Sequence, residues 1–191
     1  KAAKTLDYII SRHRHILAEL ELRTDTDLRS RLRGINEDLN EVLEEIFQTS
    51  GRNLQLYDRL LCIGELSSTN IIAAYLRNLG VQSDMFDSRE LMITDSNFSS
   101  ARPLFSESKD NVDEILKPMI GATVPVLQGF IGSDNRGRTT TLGRGGSDFS
   151  ATLFGAMLGV DTVEIWSDVD GVLSADPSLI PEAERIEYMT G

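Results

Sequence analysis

The sequence predicts an α/β fold, a three-layer αβα sandwich around a mainly parallel central sheet. Amphipathic helical patterns fill the N-terminal part, and short β-rich runs alternate with helical segments from residue 81 onward. Strand–helix–strand alternation favours parallel strands, because each crossover returns the chain in the same direction. The apolar run at residues 123–131 is continuous instead of alternating, which is typical of a strand covered on both faces.

Two long helices open the predicted fold. Apolar residues recur every three or four positions over residues 4–23 and again over 27–49, before a stop at Gly51. We expect an antiparallel pair with solvated charged faces. His13 and His15 have no cysteine or third histidine nearby, so we expect them at the surface or its boundary and not on a metal.

The later elements are predicted from turn residues and from the change between the helical and the strand spacing of apolar residues. Gly80 ends a third helix, and Gly121 ends a fourth. Pro125 is tolerated near the start of a strand, where the missing ladder hydrogen bond costs least. These later elements are helices at 68–79, 112–119 and 148–159 and strands at 81–86, 91–94, 123–131 and 161–167.

The composition is that of an acidic globular protein. The formal net charge is −11, which argues against a nucleic-acid surface because such a surface needs a basic face. No apolar run reaches the roughly 18 residues of a membrane span, and no signal peptide is visible. The single cysteine, Cys62, lies in an apolar run. We expect it to be buried and the protein to work in a reducing cytoplasm.

Ligands of open α/β sheets bind at the carboxyl ends of strands, and loops at 64–69, 130–148 and 167–171 qualify. Two interpretations of Glu65 are open. It is either an acid that stabilises a helix start capped by the hydroxyls that follow, or a carboxylate that receives the ammonium group of an amino acid.

Residues 143–148 are the strongest candidate site. Three glycines surround Arg144 between a predicted strand and a predicted helix, more than one tight turn requires. Glycines have no side chain to shield the backbone N–H groups, so these groups and the positive end of the helix dipole can attract an anion. Arg144 can in addition donate two parallel hydrogen bonds to a carboxylate or a phosphate. We expect Ser147 to be the N-cap and Asp148 to orient a cation such as a catalytic lysine. The spacing of a Walker A loop does not occur.

The segment at 167–171 has a competing interpretation. A strand that ends in Asp-Val-Asp-Gly-Val resembles the first motif of haloacid-dehalogenase-type phosphatases, whose first aspartate is the nucleophile. That family carries its remaining catalytic motifs further along the chain. Few residues follow Gly171, so the phosphatase interpretation cannot be completed in this sequence.

Taken in order, four segments resemble the aspartokinases of the amino-acid kinase family. The match is close over residues 121–177, moderate over 60–94 and general over the two N-terminal helices. The segments are Gly-Glu-Leu-Ser-Ser-Thr at 64–69, Pro-Val-Leu-Gln-Gly-Phe-Ile-Gly at 125–132, Gly-Arg-Thr-Thr-Thr-Leu-Gly-Arg-Gly-Gly-Ser-Asp at 137–148 and Trp-Ser-Asp-Val-Asp-Gly-Val at 166–172.

The resemblance implies an amino-acid kinase (carbamate kinase-like) fold and the phosphorylation of L-aspartate by ATP to 4-phospho-L-aspartate. This is the first step towards lysine, threonine and methionine. It implies Mg²⁺ carried mainly by the ATP phosphates, a homodimer or larger homo-oligomer, and a cytoplasmic location. Residues 1–52 would be a helical pair, 53–120 the substrate side, and 121–191 the part that binds substrate and nucleotide.

The resemblance also assigns substrate contacts by position. Glu65 would meet the amino group of aspartate, and Arg144 and Ser147 would hold its carboxylates. Gly145 and Gly146 would line the same site.

The catalytic and nucleotide residues are assigned in the same way. Asp148 would organise the phosphoryl-transfer centre and hold the family's catalytic lysine in place. Ser167 and Asp168 would border the nucleotide, and Leu173 would lie beside the adenine. The family usually has tyrosine where this chain has Leu173 and arginine where it has Ser178, which weakens the assignment of nucleotide contacts there.

The family's Lys-Phe-Gly-Gly-Thr-Ser segment, which carries that lysine, does not occur in these residues, nor do the regulatory ACT domains. The sequence therefore predicts a catalytic domain truncated at both ends, inactive as these 191 residues alone. The resemblance leaves open whether this domain belongs to a monofunctional aspartokinase or is the kinase half of an aspartokinase–homoserine dehydrogenase. Two alternatives stay open. One is a sibling kinase of glutamate, acetylglutamate or a nucleotide, and the other is a non-catalytic ligand-binding module.

Overall fold

The computed structural model describes residues 2–166 and 171–189. The helices are α1 (Ala2–Glu19), α2 (Thr26–Gln48), α3 (Leu54–Asn78), α4 (Ser88–Leu91), α5 (Phe105–Asn111) and α6 (Gly146–Leu158). The strands are β1 (Ser83–Phe86), β2 (Ile93–Thr94), β3 (Val124–Leu127), β4 (Ile131–Asp134) and β5 (Thr139–Thr141). None of the described helices is long and apolar enough to cross a bilayer.

The predicted antiparallel pair of α1 and α2 is confirmed. Leu6 near the start of α1 packs with Val42 near the end of α2, whereas Leu17 packs with Leu28. The Asp25 side chain caps α2 by accepting a hydrogen bond from the backbone N–H of Leu28 at 2.9 Å. This cap and the apolar period explain why the bounds of α2 agree with prediction.

Helix α3 is the central helix of the fold. It has 25 residues, and its N-cap Asn53 accepts a hydrogen bond from the backbone N–H of Leu56. Ile63 packs in a cluster with residues of α2, whereas Cys62 and Leu66 pack against Ile131 of β4. One helix therefore contacts the helical pair on one side and the strands on the other.

The predicted start of this helix at residue 68 is wrong. Gly64 and Ser67 lie in the interior of α3, where the sequence pattern had indicated a loop and a cap. A glycine inside a helix costs about 1 kcal/mol, but the burial of neighbouring apolar side chains on two sides of α3 outweighs that cost.

The strands confirm a mainly parallel α/β arrangement. β1 pairs with β3 in parallel, and β2 pairs with β4 in parallel. β4 then turns back through a hairpin to pair antiparallel with β5. In the described part of the chain these pairs form two small sheets, β1–β3 and β2–β4–β5.

The long strand predicted at residues 123–131 is divided into β3 and β4. Phe130 has φ 71°, a left-handed conformation that no regular strand contains. Gln128 and Gly129 interrupt the apolar run directly before this position, and a glycine within a strand pattern is a signal of such a break that the prediction did not use.

The opposite layer consists of α6 and the helical segment that begins with α5. That segment continues past Asn111 as a π-helical turn, Val112–Leu116, and a 3₁₀ turn, Lys117–Met119. Leu91, Met92, Val112, Phe154 and Met157 form its buried cluster. The predicted helix at 112–119 is thus the second half of a longer helical stretch.

The C-terminal residues form a separate unit. The chain divides into Lys1–Asp161 and Thr162–Gly191. The strand predicted at 161–167 is wrong over its described residues, because 162–166 have no regular structure and Trp166 is exposed. A strand requires a hydrogen-bonded neighbour, and none pairs with this segment among the described residues. Within the unit, Leu173 pairs with Arg185.

The β4–β5 hairpin is closed at its turn by a buried carboxylate. Asp134 accepts hydrogen bonds from the Arg138 guanidinium, the Ser96 hydroxyl and the backbone N–H of Arg136. Burial alone would raise the pKa of Asp134, but these donors together with the backbone N–H of Arg138 lower it below its usual value. Arg138, part of the motif at 137–148, is therefore used within the hairpin.

We predict that Asp134→Asn destabilises the chain in a pH-dependent manner. Because the folded-state pKa lies below the unfolded value of 3.8, the carboxylate contributes stability above that pH, and the contribution is lost as pH falls. Urea unfolding at neutral pH should show a loss of about 1–3 kcal/mol in the free energy of unfolding. The difference from wild type should shrink below about pH 4.

The matched control is Asp110→Asn, which changes an exposed carboxylate with no described side-chain partner. Its effect should be within about 0.5 kcal/mol at both pH values. A loss for Asp134→Asn that is equal at neutral and acidic pH would contradict the prediction.

Candidate active site

The loop between β5 and α6 contains two left-handed glycines. Gly143 has φ 80° and Gly145 has φ 72°, a conformation in which any other residue is strained. A Cβ built on Gly143 would also lie 3.2 Å from the backbone oxygen of Ser99. The glycines that indicated an anion-binding loop are therefore required by the backbone path.

Helix α6 begins at Gly146, two residues earlier than predicted. Its N-cap is Gly145 and not Ser147, and Gly145 supplies no side-chain capping bond. The backbone N–H groups of Ser147 and Asp148 donate to no acceptor in the part of the chain that the structure describes. These donors at the positive end of the α6 dipole can bind a carboxylate or a phosphate.

Three predicted site residues present free side chains at this helix start. Arg144, Ser147 and Asp148 are all exposed. No ion pair or side-chain hydrogen bond engages them within residues 2–166 and 171–189. The guanidinium, the hydroxyl and the carboxylate are thus available to a ligand.

The threonines of β5 have a different role from these side chains. Thr140 and Thr94 share a buried hydrogen bond between their hydroxyls at 2.7 Å. The hydroxyl of Thr141 donates to the Asp58 carboxylate at 2.9 Å. These hydroxyls hold the strand in place and are not available to a ligand.

The turn after β3 fixes the position of the α6 start. A Cβ built on Gly129 would lie 3.0 Å from both Cα and Cβ of Ser147, and one built on Gly146 would lie 2.8 Å from the Phe130 ring. The backbone N–H of Phe130 donates to the Ser150 hydroxyl at 2.9 Å. Close backbone approach at two glycines therefore locates Ser147.

Glu65 lies in the interior of α3, so its interpretation as an acid beside a helix start is wrong. The hydroxyls of Ser68 and Thr69 donate to the backbone oxygen of Glu65, at 3.1 and 2.8 Å. Its side chain is half-buried, and burial raises the pKa of the carboxyl. A partly desolvated carboxylate gains from a bound cation, which leaves the ammonium-binding interpretation in place.

Gln128 connects the turn of α3 that carries Glu65 to the end of β3. Its side-chain amide donates to the Thr69 hydroxyl at 2.7 Å, and Thr69 donates to the Glu65 carbonyl. Its Oε1 accepts from the backbone N–H of Ser88 at 2.7 Å. Gln128 is buried and directly precedes Gly129. The end of β3 is thus bonded to α3 through Gln128 and lies against the start of α6 through Gly129.

Sequence reasoning missed Gln128 and Asp58 as residues that organise this region. Both are buried polar side chains whose hydrogen bonds run to distant parts of the chain. Asp58 would have stood out as a charge on an apolar helix face if the start of α3 had been predicted. Gln128 carries a comparable signal, because it is a polar amide within the run at 123–131 that was predicted to be buried.

The predicted nucleotide residues are only partly described. Ser167 and Asp168 lie outside the described residues. Leu173 is half-buried in the C-terminal unit, where its backbone pairs with Arg185.

No group of three or more metal-ligating side chains occurs within the described ranges. His15 is exposed and lies 3.3 Å from Glu19, and His13 is half-buried. Both positions agree with the expected surface or boundary role.

Residues 5–191 match the amino acid kinase family. The chain belongs to this family, and the predicted fold is thereby confirmed. It is 38% identical over 158 residues to lysine-sensitive aspartokinase 3 of Escherichia coli, covering 80% of this chain and 35% of the relative. It is 30% identical over 190 residues to an aspartokinase of Chlamydia trachomatis, covering 100% of this chain and 41% of the relative. The chain thus spans less than half the length of these relatives.

Solved structures show the same likeness. E. coli aspartokinase III in complex with aspartate and ADP, in the R-state, superposes with a TM-score of 0.89 at 35% identity over 97% of this chain and 40% of that chain. The same enzyme with lysine and aspartate, in the T-state, gives a TM-score of 0.83 at 36% identity over 96% and 40%. The resemblance to aspartokinases is confirmed.

We predict that Gly129→Ala disturbs the start of α6. The new methyl group would push against the backbone of Ser147, and overpacking of this kind costs about 1–3 kcal/mol in the free energy of unfolding. Urea unfolding measures that loss. The amide chemical shifts of Ser147 and Asp148 should move, because their backbone is displaced.

Gly34→Ala is the matched control. Gly34 lies inside α2, and a Cβ there meets nothing within 4 Å. This variant should gain about 0.5–1 kcal/mol from helix propensity. Equal stability of the two alanine variants would contradict the close approach of Gly129 to Ser147.

Proposed function

We propose that this chain is part of the catalytic domain of an aspartokinase, which transfers the γ-phosphoryl group of ATP to the side-chain carboxylate of L-aspartate. The strongest support is the TM-score of 0.89, over 97% of the chain, to a structure in complex with aspartate and ADP. The relatives compared above are aspartokinases. None of them favours a glutamate or acetylglutamate kinase, or a non-catalytic module.

The chemistry of the loop fits the charges of aspartate. L-Aspartate carries two carboxylates and one ammonium group. Arg144 supplies a bidentate cation, and Ser147 supplies a hydroxyl beside free backbone amides, so together they suit the carboxylates. Gly145 is exposed and lets the backbone approach this ligand closely, and we propose that Gly146, which is buried against Phe130, lines the site through its backbone. The half-buried Glu65 carboxylate suits the ammonium group.

Phosphoryl transfer of this kind requires positioning and charge neutralisation more than covalent chemistry by the protein. Asp148 lies in the first turn of α6, where the helix dipole stabilises a negative charge. Its free carboxylate can hold a protonated lysine side chain beside the reacting carboxylate. We assign Asp148 this catalytic role.

When bound, ATP supplies the γ-phosphoryl group, and Mg²⁺ accompanies its phosphates. We propose that Ser167 and Asp168 border the nucleotide and that Leu173 lies beside the adenine. Leu173 fits such a role because it is apolar, half-buried and fixed by backbone pairing with Arg185.

The remaining proposals concern organisation. We propose that residues 1–52 are a helical pair, 53–120 the substrate side and 121–191 the part that binds both substrates. Helix α3, which carries Glu65, lies wholly within the second of these. We propose a homodimer or larger homo-oligomer that works in the cytoplasm in the synthesis of lysine, threonine and methionine.

We predict that Arg144→Ala in the protein as its gene encodes it raises the KM for aspartate about 10- to 100-fold, because a charge-assisted hydrogen bond contributes about 1.5–3 kcal/mol. Arg144→Lys should fall between this variant and wild type, since lysine keeps the charge and loses the fork. Glu65→Gln should also raise the KM for aspartate. The measurement is aspartate-dependent formation of ADP.

The matched control is Arg136→Ala, which removes an exposed arginine at the β4–β5 turn. Its KM for aspartate should stay within about twofold of wild type. Absence of aspartate-dependent ADP formation by the wild-type protein would overturn the proposed function itself.

A further inference from the structure

Asp58 of α3 is a buried carboxylate with four hydrogen-bond donors and no cation. Its residue exposure is 0%. In the described part of the chain it forms no ion pair, because no lysine, arginine or histidine nitrogen lies within 4.0 Å of it. A charge buried in this way is tolerated only where hydrogen bonds replace its hydration.

Two separate segments supply the four donors. Thr141 of β5 donates through its backbone N–H at 3.0 Å and its hydroxyl at 2.9 Å. Ser99 donates through its backbone N–H at 2.7 Å and its hydroxyl at 3.0 Å. Ser99 has φ 67°, a left-handed conformation that costs free energy for a residue with a side chain. The carboxylate therefore holds one strand end and one strained loop together.

Both segments reach the loop that carries Arg144. Thr141 lies three positions before Arg144, and its backbone oxygen accepts from Ala101 at 2.9 Å. The carbonyl of Ser99 faces Gly143, where a built Cβ would approach it to 3.2 Å. A displacement of either segment would therefore move the backbone on which Arg144 stands.

We propose that Asp58 is a positioning residue for substrate binding, fixing the Gly143–Arg144 loop through its bonds to Thr141 and Ser99. This inference rests on the proposed function, in which Arg144 holds a carboxylate of aspartate. A carboxylate suits the task because its two oxygens can each accept two donors, whereas asparagine offers one accepting oxygen. Misplacement of a binding group by about 1 Å is enough to change rates about 100-fold.

The β4–β5 hairpin provides a matched control at its other end. Asp134 is also a buried carboxylate with several donors, but it closes the turn and contacts nothing in the Gly143–Arg144 loop among the described residues. Asp58→Asn and Asp134→Asn thus each remove one buried carboxylate that hydrogen-bonds the hairpin, Asp58 from helix α3 and Asp134 from strand β4. Asp134 also accepts from the Ser96 hydroxyl, but only Asp58 is bonded to Thr141 and Ser99, the two residues that reach the Gly143–Arg144 loop.

The experiment uses the protein as its gene encodes it and compares wild type, Asp58→Asn and Asp134→Asn. The KM for aspartate, the KM for ATP, kcat and the thermal unfolding midpoint are measured for each. Asp58→Asn should raise the KM for aspartate at least tenfold and leave the KM for ATP within twofold. Asp134→Asn should lower the unfolding midpoint and leave both KM values within twofold.

If Asp58→Asn does not fold, the pair Thr141→Val and Thr141→Ser tests the same hydrogen bonds from the donor side. Valine has the shape of threonine without the hydroxyl, so it removes one of the four donors. It should raise the KM for aspartate in the same direction, by a smaller factor. Serine keeps the hydroxyl and should restore wild-type behaviour.

A merely structural role predicts a different result. Asp58→Asn would then lower the unfolding midpoint and kcat without separating the two KM values, and this result would overturn the inference. Hydrogen exchange at residues 143–148 gives a readout without turnover. It should accelerate in Asp58→Asn and not in Asp134→Asn. If wild type shows no turnover with aspartate, the proposed function fails, and the exchange result alone decides whether Asp58 fixes the loop.

Discussion

The burial of α3 on two sides is the constraint on which the rest of this structure depends. Ile63 packs with α2, and Leu66 packs on β4, so the helix can neither shift nor rotate without opening one of these contacts. Because the helix is held in this way, the polar residues on it have fixed positions from which they can bond to other segments. Asp58 reaches the end of β5, and the turn after Glu65 is tied to Gln128. Apolar packing thus determines where the charged groups of the site stand.

The sequence was informative about the fold wherever the evidence is local. The apolar period and the Asp25 cap lie within α2, and the prediction of that helix agrees with the structure almost to the residue. The start of α3 was missed because Gly64 and the hydroxyls after it have the composition of a loop. Only the two-sided burial of the helix overrides that composition. The break at Phe130 was missed because the prediction followed the apolar residues on both sides and passed over Gln128 and Gly129 between them.

The candidate site, too, could be predicted from the sequence only where its residues are close together along the chain. Residues 143–148 could be recognised from the sequence because their glycines, arginine and hydroxyl are adjacent. Asp58 could not, since its donors lie 41 and 83 positions away along the chain. The function of Gln128 likewise depends on partners 40 and 59 positions away. The exposed groups of the candidate site were therefore visible in the sequence, whereas the groups that hold them in place required the three-dimensional structure.

The burial of Cys62 has a practical consequence for studying this protein in solution. It is the only cysteine in the chain, it is fully buried, and burial raises the pKa of its thiol to about 11. At neutral pH almost none of it is the thiolate that reacts with maleimides or iodoacetamides. A fluorophore or spin label attached to a cysteine introduced on the surface would therefore report from that one position, with the native thiol left unchanged.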